Sequence, residues 1–301
     1  MIPTLVGVIL LVFFLFKFWG GDPAEILGGL LATPEQIQAI RQELGLNDPW
    51  YVQLWIFVKG IFTFHWGNSW ATTESVSNIF STRLPASLTV MIPLLILSVV
   101  LAIPCALAVA YVRGSLTDRA IMVVITIALS ISFLVYIIVG QYVFGFLLGW
   151  FPIQGWSDSL PKNLVTYAPL PVLLAVLVSL APETRLYRSF FLDEISQDYV
   201  RTARAKGVSE NTILLKHVLR NAMIPILTNV ASGLPGIFVG SFLIEVFFSI
   251  PGLGREVYLA VNRSDYPVIQ AVTVYLAALT MVINLVTDVL YRWVDPRVVL
   301  R

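Results

Sequence analysis

The chain has 301 residues, 57% of them hydrophobic and 12% charged, and its 19 Lys or Arg against 18 Asp or Glu leave a net charge of +1. A charged fraction about half that of soluble domains excludes a water-soluble globule, and the near-neutral balance excludes a nucleic-acid partner held by charge. With one cysteine, Cys105, and two well-separated histidines, His65 and His217, neither an internal disulfide nor a metal cluster can be assembled.

Charge-free windows run over residues 2–16, 88–112, 120–157, 163–182, 221–244 and 266–287. A spanning helix takes about 20 apolar residues, so these windows predict six transmembrane helices in an all-α integral membrane protein. The first window lacks the basic flank and cleavage pattern of a signal peptide and is expected to be retained, with a short basic stretch ahead of it. Residues 20–87 then form a loop subdomain. Within it Thr33, Pro34 and Gln36 spell a capping box and Gly45 a stop, which predicts a helix over 34–44. Aromatic residues follow from Trp50 to Trp70, suited to an interfacial belt or to docking of an external protein.

The third window is too long for one span, and Gly145, Gly149, Pro152 and Gly155 predict that its second half leaves the helix. Pro93, Pro104, Pro171 and Pro235 lie inside predicted spans, and Gly233, Gly236 and Gly240 would permit close helix approach. Asp288 stands four residues before Arg292, an ion-pair spacing, and Glu183 with Arg185 and Arg188 marks the end of the fourth span. Glu245, an acid at the edge of the fifth span, is a candidate gate or path residue.

Orientation follows from the cations. Twelve Lys or Arg fall in segments 113–119, 183–220 and 288–301, against six in 20–87, 149–162 and 245–265. The positive-inside rule therefore predicts both termini in the cytoplasm and residues 20–87 outside.

The most informative segment is 192–224. Acids from Asp193 to Asp198 open a helix, Arg204 and Lys206 close it, Gly207 takes a left-handed stop, and Ser209 caps a second helix. This predicts a short basic knob on the cytoplasmic side. The sequence Asp198-Tyr199-Val200-Arg201-Thr202-Ala203-Arg204-Ala205-Lys206-Gly207, with His217 to Pro225 after it, resembles the EAA loop of ABC transporter permeases of the dipeptide, oligopeptide and nickel import class. Gly21-Asp22-Pro23-Ala24, Leu44 to Pro49, Arg83 to Leu88, Phe248 to Gly254, Asp265-Tyr266-Pro267 and Asp295-Pro296-Arg297 extend the resemblance along most of the chain. Arg201-Thr202-Ala203 stand where the general pattern has Glu-Ala-Ala, which narrows the resemblance to the peptide subclass. His65-Trp66-Gly67-Asn68-Ser69 departs from the usual outer-loop pattern.

The resemblance implies a type I ABC importer permease, a single transmembrane domain over 1–301. Its partners would be a second homologous permease, two cytoplasmic ATPase subunits and an extracytoplasmic solute-binding protein. ATP and Mg would bind the ATPases, with no cofactor on this chain. Tyr199, Thr202, Ala203, Gly207, Val208 and Ser209 would contact the ATPase, with Arg201, Arg204 and Lys206 as a charged rim. Short peptides are the expected cargo, nickel chelates or oligosaccharides the alternatives within the class. No phosphate loop, metalloprotease motif or nucleophile elbow supports an enzyme. The competing class is an ion-coupled carrier working without an ATPase, which would want ionisable groups near the bilayer centre.

Overall fold

A computed structural model describes residues 2–29 and 32–294, with side chains over 3–29 and 32–286. The side chains of Asp288 and Arg292, and the segment Asp295-Pro296-Arg297, lie outside the described residues. Among the described residues the fold is helical, with one isolated bridge between Asn68 and Ser75.

Helix α1 (Ile2–Trp19) leads into three helices, α2 (Pro23–Gly28), α3 (Pro34–Glu43) and α4 (Trp50–Thr63). Asp22 caps α2 by accepting from the Ala24 amide at 2.9 Å, and its carboxylate also takes the Arg41 guanidinium from α3. Burial acts to raise the Asp22 carboxyl, but the Arg41 and amide bonds outweigh it and hold the group below its usual range. The capping box of α3 forms as the sequence predicts, and Gly45 closes the helix at φ +64°. The Leu46 amide returns to the Arg41 carbonyl and the Gly45 amide to Gln42, the paired bonds of a Schellman closure.

Helix α5 (Val76–Tyr111) has 36 residues and runs unbroken through Pro85, Pro93 and Pro104. At 1.5 Å per residue it is about 54 Å long, well beyond a hydrocarbon core of about 30 Å. It therefore links the two ends of the bundle. After α6 (Leu116–Ser130) the chain turns by 88° into α7 (Phe133–Gly140), which continues as a π-helical stretch to Leu147. The sequence places the departure near Gly145, whereas the break falls at Ile131, whose backbone is extended. No glycine or proline marks it. Ser130 and Thr126 instead bond back to the carbonyls four residues earlier, a habit that weakens the helical ladder and bends it.

Helix α8 (Leu160–Lys162) and a π-helical stretch precede α9 (Pro169–Ile195), then come α10 (Asp198–Ala205) and α11 (Glu210–Thr212). A third π-helical stretch, Ile213–Val218, joins α11 to α12 (Leu219–Val239) without interruption. Gly240, at φ +78°, ends α12, and α13 (Phe242–Phe247), α14 (Leu253–Asn262) and α15 (Tyr266–Val294) complete the chain.

Among the described residues four helices are long and apolar enough to cross a membrane: Val76–Tyr111, Pro169–Ile195, Glu210–Phe247 and Tyr266–Val286. The bent pair at 116–147 meets the same test jointly, and Pro3–Trp19 is a shorter apolar helix. The six expected windows thus correspond to four long spans, one broken one and one short one. Lipid supplies no hydrophobic drive between helices, so close packing must hold them. Ala102, Ala106 and Ala110 on α5, one turn apart, provide it by letting Tyr187 and Phe191 of α9 seat fully buried against that face. Gly233 and Gly236 serve no such approach within the chain, for a Cβ at either would meet nothing within 4 Å.

Candidate functional site

The predicted knob is present, and its construction differs from the sequence reading in two respects. Asp193 and Glu194 belong to the last turn of α9, which runs on to Ile195. A separate helix, α10, starts only after Ser196 and Gln197. The acids therefore do not open the knob; Asp198 alone lies in its first turn. Glu194 instead accepts from the Tyr199 hydroxyl at 2.6 Å, and burial together with that carboxylate pushes the phenol above its usual range.

The second difference concerns which side chains face out. Helix α10 ends in another Schellman closure: Gly207 sits at φ +76°, its amide bonds to Arg204, and the Val208 amide reaches back to Ala203. That motif brings Ala203 and Val208 together on the inner side. Val200 and Ala203 are buried in a cluster with Tyr187, Phe191, Ile213 and Val218, and Tyr199 and Val208 pack against it. Tyr199, Ala203 and Val208 thus anchor the knob to its own chain. The exposed face carries Arg201, Thr202, Arg204, Ala205, Lys206, Gly207 and Ser209.

Charge on this face is partly spent within the chain. Arg204 grips Glu210 across the turn, with Nε to Oε1 at 2.6 Å and Nη2 to Oε2 at 3.2 Å, and Arg201 meets the exposed Asp198 at 3.3 Å. Among the described residues no ion pair engages Lys206. Ser209 precedes α11 as expected, its hydroxyl bonding to that of Thr212 at 2.9 Å. Gly207→Ala forces a left-handed backbone on an L side chain and is expected to cost about 1 kcal/mol. Thermal unfolding of the purified protein checks this, and Thr202→Ala on the exposed face should leave stability within about 0.5 kcal/mol.

A buried ion pair steadies the same end of the bundle. Arg188 Nη2 of α9 donates to both Asp118 oxygens of α6, at 2.8 and 2.9 Å, and the Gly114 amide adds a bond to Asp118 at 2.9 Å. In the sequence Arg188 marks only a span end. Asp118 as its partner, 70 positions away, had no local signal beyond its place in the predicted short turn.

At the opposite end lies Glu245, 1% exposed. Its Oε1 accepts from the Ser87 hydroxyl of α5 at 2.7 Å, and its Oε2 from the Arg255 amide at 2.8 Å. Ser87 in turn accepts from the Leu253 amide at 2.8 Å. Leu253 and Arg255 lie in the first turn of α14, whose amides have no intrahelical partners, so Glu245 and Ser87 cap this helix from outside it. A Cβ on Gly240 or Gly252 would collide with the Glu245 carboxylate, and one on Gly254 would press on the Phe242 backbone nitrogen, which accounts for the glycines of the Ile250-Pro251-Gly252-Leu253-Gly254 turn. With both oxygens committed to the interior, Glu245 fastens α5, α13 and α14 together. This bonding to neighbouring helices is the structural role that stands beside a gate or path role for Glu245.

Asp265 makes a parallel fastening nearby, accepting from the Ser69 hydroxyl and, at 3.0 Å, from the Trp70 amide. It pins the departing His65-to-Ser69 segment to the start of α15, where the Tyr266 hydroxyl donates to the Gly20 carbonyl.

A long-helix bundle with a rigid knob at one end and a folded cap at the other invites comparison with known transport proteins. Residues 102–300 match the family described as the binding-protein-dependent transport system inner membrane component. The chain belongs to that family. Residues 1–91 match the N-terminal part of such a membrane component. The chain is 35% identical to a putative peptide transport system permease protein of Brucella abortus over 299 residues, 99% of this chain and 95% of that one. Its identity to the glutathione transport system permease protein of Salmonella choleraesuis is also 35%, over 298 residues with the same coverage. The inner membrane component is therefore a permease subunit with the type I ABC importer fold, working in a transport system that includes a binding protein. The motif residues Asp22, Gly45, Ser87, Gly252 and Asp265 all serve the permease as caps, closures or fastenings.

Proposed function

We propose that this permease forms half of a transmembrane path for short peptides and that α10, with the Gly207 turn, docks into a cleft of a cytoplasmic ATPase. The knob carries the proposal. It is short, closed at its end by a Schellman motif, anchored by Val200, Ala203 and Val208, and presents a small, basic outer face. A rigid element of this kind transmits displacement rather than absorbing it. The cation distribution supports the knob and both termini on the cytoplasmic side.

A second, homologous permease would complete the path, and the exposed Gly233 and Gly236 of α12 leave room for its approach. ATP and Mg would bind two ATPase subunits, and this chain would hold no cofactor. ATP binding and a loaded binding protein then bias one two-state equilibrium from opposite sides of the membrane, with inward-open and outward-open forms as the states. Peptides as cargo rest on the relatives, which are peptide and glutathione transport permeases.

The test is uptake of a labelled dipeptide into liposomes holding the assembled transporter with ATP on the knob side. Accumulation should require ATP and fall when unlabelled short peptides compete, but not when a nickel chelate or an oligosaccharide does. Accumulation driven by an ion gradient without ATP would transfer the proposal to the ion-coupled carrier.

A further inference from the structure

At the Glu245 end of the bundle a cavity of about 360 Å³ opens between α1, α4 and the start of α15. Its walls are largely aromatic and aliphatic, with Phe13, Phe16, Ile56, Phe57 and Trp66 among them. A second cavity, of about 440 Å³, is lined by the polar residues Lys17, Asp22, Arg41 and Asn47. The two share Phe16, Lys17, Pro23 and Leu46 as walls, so an apolar chamber and a polar one meet at Lys17. Such volumes fall within the range of small-molecule sites.

Exposed apolar side chains border the mouth of the apolar chamber. Ile56 lines it yet is 59% exposed, and its neighbour Trp55 is 68% exposed. On α1, Leu11, Phe18 and Trp19 are exposed as well. Lys17 lies two residues before Trp19, the end of α1, and Trp19, Trp50 and Tyr51 are the amphipathic residues that settle at headgroup level. The chamber thus opens sideways just below the interface, with the polar chamber at headgroup height.

Charge selects the occupant. In the polar chamber Asp22 and Arg41 neutralise each other, and Glu25 stands 3.6 Å from the same guanidinium. Lys17 donates to the neutral Gln53 Oε1 at 2.8 Å and meets no carboxylate within ion-pair distance among the described residues. Gln53 cannot turn away, because its amide nitrogen is held by the Leu46 and Asp48 carbonyls. An ammonium has three donors, and at the edge of hydrocarbon an uncompensated one is costly.

We infer that the paired cavities between α1, α4 and α15 bind an anionic phospholipid, its phosphodiester on Lys17 and an acyl chain in the aromatic chamber. A zwitterionic lipid of the same chain length offers the phosphate together with a cation that Lys17 repels. The site is independent of the transported cargo and of the ATPase.

The experiment is native mass spectrometry of the full-length purified chain titrated with phosphatidylglycerol, phosphatidylcholine, or soluble glycerophosphoglycerol, which is the headgroup without chains. Phosphatidylglycerol should be retained about fivefold more tightly than phosphatidylcholine, the order expected of one lysine–anion contact at a membrane surface. Lys17→Gln should erase that preference, and Lys17→Arg should keep it. Ile56→Trp, which fills the mouth of the chamber, should weaken both lipids alike and leaves a readout should Lys17→Gln fail to fold. Equal retention of the two lipids by the wild type, or full retention of the preference by Lys17→Gln, would overturn the inference. So would saturable binding of the headgroup alone, which would make this a site for small anions, or loss of the lipid on assembly with the second permease, which would make it a protein interface.

Discussion

Replacing Glu245 by alanine is expected to lower the stability of the folded chain by about 3–5 kcal/mol, the range for removing one partner from a buried charged network. The loss is large because three elements share the carboxylate. Ser87 loses its acceptor, the Arg255 amide at the start of α14 is left in a sealed site, and the glycine turn over Gly252 loses the group it closes on. Glu245→Gln keeps the shape and an oxygen for the Arg255 amide, but its amide nitrogen can meet Ser87 only if the hydroxyl turns to accept, so it should recover only part of the loss. Ser87→Ala should cost less, about 1–2 kcal/mol. Denaturant unfolding in detergent micelles would give these values, and a double-mutant cycle should show Glu245 and Ser87 coupled by at least about 0.5 kcal/mol. Additive effects would mean that the two side chains do not act through one hydrogen bond. Gly252→Val tests the same packing from the other side, since its side chain must displace the carboxylate.

Arg188→Ala should cost about as much, 3–5 kcal/mol by the same reasoning, because it strands Asp118. Asp118 is 6% exposed, and once the guanidinium is gone its carboxylate retains only the Gly114 amide as a donor among the described residues. Arg188→Lys should recover part of the loss, for one arginine nitrogen spans both Asp118 oxygens and a shorter, more strongly hydrated ammonium must reach the same place. Replacing both residues by apolar ones of similar size should be far milder than either single change. Burial shields the pair, so its contribution should hardly vary with salt, unlike that of the exposed Arg204–Glu210 pair. The two comparisons together separate a stabilising ion pair from a surface charge that merely sits nearby.

Local chemistry made much of this protein legible before any fold was known. The α3 capping box, the Gly45 stop and the Gly207 stop each lie within a few residues of what they control, and each forms as read. Hydropathy is local as well, and its windows coincide with the four long apolar helices and the bent pair among the described residues. What escaped was set by partners far along the chain. Glu245 finds Ser87 across 158 positions and Asp118 finds Arg188 across 70, so their roles as fastenings had no local signature. The inward turn of Ala203 and Val208 departs from the resemblance, which implies both as ATPase contacts. The Schellman geometry that pairs them could have corrected it, since a hydrophobic contact across the turn is part of that motif. The bend at Ile131 follows from serine and threonine hydroxyls competing for backbone carbonyls, a weaker cue than the glycines farther on.

That inward turn decides how the central claim should be tested. Ala203→Glu would damage the anchoring cluster and could detach an ATPase without touching its docking surface. Ala205, which is exposed, is the cleaner position. The decisive measurement is co-purification of the ATPase subunits through a tag on this chain, comparing the wild type with Ala205→Trp and Lys206→Glu, with retention of the second permease as the control for folding. The account predicts that the wild type carries the ATPases through detergent, while both variants lose them and keep the second permease. ATPases retained equally by all three proteins would contradict docking through α10.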